Sequence, residues 1–412
     1  MLLHFMLTHL VKVGRLSVVF GDGTVENYGD GSGPPVAARL THAGARRIVL
    51  DAELGLGEAY MEEDLVLDRG DIWDLLDLLG RNFERRPFPK HTVFNRVKAN
   101  LLRRLQQMND RVAARRNVAH HYDLSVDLYR RFLDEDMQYS CAYFARGDMT
   151  LEEAQAAKKA HIAAKLRLTP GARVLDIGCG WGGLGLTLAG DYGARVTGVT
   201  LSTEQLAIAN QRADAADLGA LAKFQLEDYR DVRGPFDRIV SVGMFEHVGA
   251  PNYRTFFERI AELLTDDGVA LIHSIGRHEP PNVTNAFIRK YIFPGGCIPG
   301  LSEVTAAVEA AGMWITDIEV LRLHYAQTLR CWRERFMAQR QAIALIYDER
   351  FCRMWEFYLA VSELSFRAGD HMVFQLQLAK RADALPITRD YMVDGERGMA
   401  VAGAGRRRVR AR

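Results

Sequence analysis

The feature that most constrains this chain is a short apolar run, Arg173-Val-Leu-Asp-Ile177, which ends in the glycine-rich stretch Gly178-Cys-Gly-Trp-Gly-Gly183 and then passes into a helical pattern. An uninterrupted apolar run of this length, bounded by glycines, reads as a strand buried on both faces, as in a parallel sheet. Thr150-Leu-Glu-Glu153 ahead of it has the spacing of a capping box and predicts a helix to about Leu166. Further strands are predicted from Arg195 to Leu201, Lys223 to Leu226, Phe236 to Val242, Val269 to Ile275 and Trp314 to Leu321, with helices between most of them. His371 to Gln377 supplies a last strand after a helical insertion over residues 327 to 366. This alternation predicts an α/β fold with a doubly wound, seven-stranded, Rossmann-like sheet. A sheet of that kind takes its ligand beyond the carboxyl ends of the strands, where the strand order reverses.

The first hundred residues follow another period. Residues 14 to 50 alternate apolar and polar positions around turns such as Gly29-Asp-Gly-Ser-Gly-Pro-Pro35, which predicts a small α+β domain over residues 1–90, with a helix near Ile72 to Leu79. Its surface is a candidate for binding lipid or a partner. The net charge of +1 conceals an uneven distribution, since residues 51 to 84 hold eleven acids against Arg69 and Arg81. From Arg96 to Arg116 the balance reverses, with seven bases against Asp110 and apolar residues at Val97, Leu101, Leu105, Met108 and Val112. That spacing predicts a basic amphipathic helical linker over 91–116, either a solvated helix packed on the next domain or a face for anionic lipid. The catalytic domain is expected over 117–385. The arginine-rich segment 386–412 has little apolar content to fold around and is expected to be a disordered tail. Five cysteines, an odd number with no Cys-x-x-Cys spacing, suggest free thiols rather than disulfides or a metal site. No run approaches the roughly 20 apolar residues of a membrane-spanning helix, so a cytoplasmic protein is expected.

Gly178 to Gly183 satisfies G-x-G-x-x-G, which alone is a weak sign of a dinucleotide site. Such a site also wants an acid about 20 residues on to hold ribose hydroxyls, and the second strand ends Gly198-Val-Thr-Leu-Ser202 without one. Asp176, two residues before the first glycine, is instead placed to anchor the ammonium end of an amino-acid ligand. The Asp-x-Gly-x-Gly-x-Gly arrangement resembles the loop of class I S-adenosylmethionine-dependent methyltransferases. Met137-Gln-Tyr-Ser-Cys-Ala-Tyr-Phe144, Val199-Thr-Leu-Ser-Thr-Glu-Gln205, Phe245-Glu-His-Val-Gly249, Leu271-Ile-His-Ser-Ile-Gly276, Ile292-Phe-Pro-Gly-Gly296 and His324-Tyr-Ala-Gln-Thr-Leu329 narrow the resemblance. From about Asn117 to Lys380 the chain looks like the cyclopropane-fatty-acyl-phospholipid synthases and the related mycolic acid cyclopropane synthases. The N-terminal region looks like the smaller domain carried by the phospholipid-acting members.

The resemblance implies that S-adenosylmethionine is held by Tyr139, Ser140, Asp176, Gly178, Gly180, Trp181, Thr200, Leu201, Ser202 and Gln205, with Asp228 and Tyr229 flanking its adenine. Ser202 and Gln205 also have capping-box spacing, and the two roles are compatible. It further implies a bound bicarbonate as base, held by Cys141, Glu246, His273, the backbone of Ile275, and Tyr325. An isolated alkene is a poor nucleophile, so the site must align it with the sulfonium methyl and exclude water. Aromatic faces can steady the resulting carbocation, a task for which Tyr122, Tyr139, Tyr143 and Phe144 are candidates. Ser362 stands where many family members have a cysteine, which speaks against a nucleophilic thiol there.

The implied activity is cyclopropanation of unsaturated phospholipid acyl chains by an enzyme peripherally associated with the inner face of the membrane. A methyl-branched or methylene product remains an alternative, as do a small-molecule methyltransferase and an inactive lipid-binding protein. No nucleic-acid-reading module is present and no metal site is expected. A homodimer is an option the sequence leaves open.

Overall fold

The computed structural model describes residues 2–84 and 124–397. The N-terminal part opens with α1 (Leu2–Leu10), then β1 (Arg15–Phe20), β2 (Val25–Tyr28), β3 (Pro35–Leu40), α2 (His42–Leu50), α3 (Ala52–Met61), β4 (Leu65–Arg69) and α4 (Ile72–Glu84). Its sheet runs β2-β1-β3-β4, with β1 antiparallel to β2, parallel to β3, and β3 antiparallel to β4. The starts of α2 and α3 have a local cause. Thr41 accepts from the Gly44 amide, and Asp51 accepts from Glu53 and Leu54. Arg96 to Arg116, expected as a basic helix, lies outside the described residues, as does Tyr122.

The larger part comprises α5 (Val126–Phe132), α6 (Leu151–Lys165), β5 (Arg173–Ile177), α7 (Gly183–Tyr192), β6 (Arg195–Thr200), α8 (Thr203–Ala215), β7 (Ala222–Leu226), β8 (Phe236–Val242), α9 (Tyr253–Leu263), β9 (Leu264–Arg277), α10 (Ala286–Tyr291), α11 (Leu301–Ala310), β10 (Trp314–Leu321), α12 (His324–Ala338), α13 (Arg340–Ala344), α14 (Glu349–Arg367) and β11 (His371–Ala379). The seven strands lie in the order β10-β11-β9-β8-β5-β6-β7. From β5 the chain steps outward through β6 and β7, then returns to the other side of β5 for β8 and β9, so the order reverses between β5 and β8. β11 is antiparallel to both β9 and β10. The expected insertion at 327 to 366 is three helices, α12, α13 and α14, broken at Gln339 and again at the turn before Asp348, whose side chain caps α14 through the Phe351 amide.

The expected tail differs from the structure over its first part. Residues 390–397 are helical, and this segment is anchored by Tyr391, whose hydroxyl accepts from Gln377, by Arg389 on Asp317 (2.8 Å), and by Glu396 on His161 (2.5 Å). Composition reads this segment as unfoldable because its apolar residues are few. Its anchors are mainly polar, joined by the buried Met392.

The two parts share one apolar core. Gly57 of α3 sits so close to Phe287 and Phe357 that an added Cβ would meet them at 2.4 and 2.8 Å. Beside this seam the buried Tyr60 hydroxyl donates to Glu356 (2.8 Å).

Candidate active site

The loop after β5 places three glycines at positive φ, Gly178 at 80°, Gly180 at 54° and Gly182 at 81°. These are left-handed conformations that side chains rarely tolerate. At Gly180 a Cβ would meet nothing within 4 Å and would project into open space. That space is a cavity over the strand ends at the β5/β8 reversal. Tyr139, Ser140, Asp176, Gly178, Gly180, Trp181, Thr200, Leu201, Gln205, Asp228 and Tyr229 all line it, so eleven of the twelve residues expected to hold the cofactor converge there. Ser202 does not line it. Its hydroxyl accepts from the Gln205 amide (3.2 Å), while the Gln205 side chain accepts from Thr200 (2.9 Å) rather than reaching back to the cap.

Charge in this cavity is set by burial. Asp176 is 2% exposed, its Oδ2 has no hydrogen-bond partner among the described residues, and desolvation pushes its carboxyl up to about 7. Asp228 is also buried but is gripped by Arg230, whose Nε lies 2.8 Å away. Tyr229 beside it packs edge-on against Phe256.

A second, deeper cavity of about 1180 Å³ adjoins the first, and Tyr139, Ser140, Gly243 and His247 belong to both walls. All five residues expected at the reacting centre line it: Cys141, Glu246, His273, Ile275 and Tyr325. They arrive from four separate segments. His273 and Ile275 alternate on one face of β9, Glu246 stands in the turn after β8, Tyr325 opens α12, and Cys141 follows Ser140. Ser362, Tyr358 and Val361 of α14 close one side, and Glu53, Gly80 and Phe83 bring the N-terminal domain to another.

The protonation of this corner follows from its burial. Burial raises the Glu246 carboxyl to about 7, against the lowering pull of the Ile275 amide, which donates to its Oε1 at 2.6 Å. Glu246 Oε2 has no partner among the described residues. The Ile275 amide, expected to hold an anion, is thus committed to Glu246 here. Burial also drives His273 well below its ordinary range, so the ring is neutral. The Gln375 amide nitrogen lies 3.1 Å from His273 Nδ1. With Nδ1 accepting, the ring proton sits on Nε2, available to donate. The Cys141 thiol is pushed up by the same desolvation and stays protonated.

Two aromatic residues stand elsewhere than their neighbours in the sequence suggest. Tyr143 lines neither cavity but is stacked between His161 (4.2 Å) and His324 (5.0 Å), and Phe144 donates its amide to His324 (2.9 Å). Of the expected aromatics Tyr139 does line the cavity, and Tyr325, Tyr358, Phe293 and Phe366 complete the aromatic wall. The Tyr139 and Tyr358 hydroxyls are 2.8 Å apart. Sequence reasoning also missed Lys158, Gln138 and Gln375. Tyr358 and Ser362, one helical turn apart, carry a readable signal, whereas the charged Lys158 reads as surface.

A seven-stranded sheet of this order with a ligand cavity at its glycine loop is the fold of the S-adenosylmethionine-dependent methyltransferases. The model of the family described as mycolic acid cyclopropane synthetase matches residues 109–376, and the chain belongs to that family. Residues 2–85 match a family described only as a domain of unknown function. Among curated relatives, the cyclopropane-fatty-acyl-phospholipid synthase of Escherichia coli (strain K12) is 41% identical over 335 residues, covering 81% of this chain and 85% of the relative. The tuberculostearic acid methyltransferase of Mycobacterium tuberculosis is 38% identical over 386 residues, covering 90% of this chain and 88% of that one. Among solved structures, the cyclopropane synthase MmaA2 from Mycobacterium tuberculosis superposes with a TM-score of 0.62 at 38% identity, over 65% of this chain and 98% of its own.

Proposed function

We propose that this chain transfers a methyl group from S-adenosylmethionine to the cis double bond of an unsaturated acyl chain in membrane phospholipid and closes it into a cyclopropane ring, with bound bicarbonate as base. The observation that carries the reading is the junction of the two cavities at Tyr139 and Ser140, with the dry, unpartnered Glu246 Oε2 just beyond it. The cofactor supplies an electrophilic sulfonium methyl. The residues fit it: Gly180 leaves room for close backbone approach, and the orphaned Asp176 oxygen suits an ammonium group.

In the deep cavity the aromatic faces of Tyr139, Tyr325 and Tyr358 offer negative quadrupoles to a developing carbocation without attacking it. His273 Nε2–H and the Cys141 thiol are neutral donors for a small oxyanion, and Glu246 Oε2 is placed to orient its proton or take it up. Bicarbonate supplies the acceptor for the methyl proton whose loss closes the ring. No helix among the described residues is long and apolar enough to cross a membrane, so we assign contact with the inner face of the membrane to a surface. The rim that Gly80 and Phe83 build from the N-terminal domain supports that assignment.

Incubation with labelled S-adenosylmethionine and unsaturated phospholipid vesicles, followed by fatty-acid mass spectrometry, tests the reading. Label in a cyclopropane acyl chain is expected. Absence of labelled lipid would overturn it. A second reading, a methyl-branched product, is favoured by relatives named as fatty acid methyltransferases, one of them 36% identical to this chain. A methyl-branched saturated chain is heavier than the ring product by two hydrogens, so the same spectrum separates the two.

A further inference from the structure

The deep cavity has to retain an anion, yet none of Cys141, Glu246, His273, Ile275 and Tyr325 carries a formal positive charge there. Arg277 also lines the cavity, two residues beyond Ile275 on the same strand face, but its guanidinium is paired with Asp370 (3.1 Å). A cation does lie behind the reacting corner. Lys158, from the middle of α6, is fully buried, and its Nζ donates to Gln138 Oε1 (2.7 Å) and Ser140 Oγ (2.8 Å). Both of its hydrogen-bond partners are neutral.

The carboxylates in its neighbourhood are engaged by other groups. Asp136 is held by Lys159 and Arg212, and Asp134 accepts the backbone amides of Gln138 (2.9 Å) and Asp136 (3.1 Å). Asp176 feels the lysine's charge but makes no hydrogen bond to it. A wholly buried ammonium that makes no ion-pair hydrogen bond is costly: burial lowers Lys158 to about 8, against the pull of the nearby Asp134 charge, which leaves it mostly protonated at neutral pH. Its location gives the use. Ser140 is a wall of both cavities and immediately precedes Cys141, and the field of Lys158 reaches Cys141 and His273.

We propose that Lys158 is a positioning residue whose buried positive charge, acting through Ser140, lets the deep cavity retain its small oxyanion base. The proposal rests on the bicarbonate reading above and adds the source of the attraction. A neutral corner of donors orients an oxyanion, but a unit charge close behind it in a dry interior holds it.

The test uses the full-length enzyme with unsaturated phospholipid vesicles in buffer stripped of bicarbonate and then titrated with it. Lys158→Gln keeps an amide donor on the side of Gln138 and Ser140 and removes the charge, whereas Lys158→Met removes both. The half-saturating bicarbonate concentration is expected to rise about tenfold or more in each variant, with most of kcat regained at saturation and the KM for S-adenosylmethionine changed less than about threefold. If Lys158→Gln titrates like the wild type, hydrogen bonding suffices and the charge has no such role. If kcat falls in both while half-saturation stays put, the lysine is merely structural. Should Lys158→Met fail to fold, Lys158→Gln, of similar shape, decides alone. A flat bicarbonate titration of the wild type overturns the base assignment itself, and this proposal with it, whereas a normal wild-type titration beside unmoved variants overturns only the role of Lys158.

Discussion

The two cavities of this protein are built on opposite plans. The first is organised around backbone: the glycine loop between β5 and α7, whose left-handed residues open a space against the main chain, with Tyr139, Thr200 and Asp228 closing it from other segments. The second is made of side chains from distant segments, and its chemistry depends on which of them are dry. A ligand at the first would meet main chain at close range, with the buried Asp176 carboxyl beside it. A reaction in the second is governed by protonation states that burial imposes.

That contrast can be broken most decisively at Glu246. Glu246→Ala is expected to lower turnover by about 100-fold to 10,000-fold while leaving cofactor affinity close to wild type, since its side chain faces only the deep cavity. Single-turnover rates alongside calorimetric binding check both halves, and a folded variant that turns over normally removes Glu246 from the mechanism. The complementary change is Gly180→Val. A branched side chain at φ 54° would fill the space a ligand must enter, so S-adenosylmethionine binding should weaken by at least about a hundredfold with the fold retained. Undiminished affinity would separate the loop from the site.

A finer test lies one step behind the reacting corner. Gln375→Leu frees His273 Nδ1 from its donor and lets the ring proton move away from the cavity. Turnover should fall about tenfold with little change in cofactor binding. Equal loss of both would mean that Gln375 only packs the sheet. The smallest effect is on stability. Asp176 and Glu246 titrate at about 7 in the folded protein, above the ordinary carboxyl range near 4. Between those values the folded state holds protons that the unfolded chain has released, so these groups make stability fall as pH rises from about 4 to about 7, and level off above. The Asp176→Asn, Glu246→Gln double variant should show a flatter dependence of melting temperature over that window. A curve parallel to wild type would contradict the burial argument.

The same contrast explains what could be read in advance. Strands whose periodicity and flanking turns are strong were placed closely: Phe236–Val242 and Trp314–Leu321 coincide with the reading, and β9 extends its expected span at both ends, at Arg277 where His371 of β11 pairs with it and at Leu264 where Phe236 of β8 does. The glycine loop was legible because its residues are neighbours in the chain. Lys158 was not. α6 buries Gln155, Lys158, His161 and Lys165 on one face, a stripe whose polarity imitates a solvated surface. Its satisfaction comes from Gln138, Ser140 and Glu319, far away in sequence, and no local pattern announces them. Tyr143 and Phe144 misled for the opposite reason. They sit beside catalytic candidates in sequence, but the chain turns them toward His161 and His324.

The seam at Gly57 has a consequence for how such chains can change by descent. With Phe287 and Phe357 seated directly on a glycine, and Tyr60 reaching across to Glu356, the small sheet cannot be gained or shed as a detachable cassette. A lineage without it must have recast α10 and α14 at the same time, and a recombinant that joins one relative's N-terminal piece to another's catalytic piece should succeed or fail according to whether position 57 and its two aromatic neighbours were inherited together.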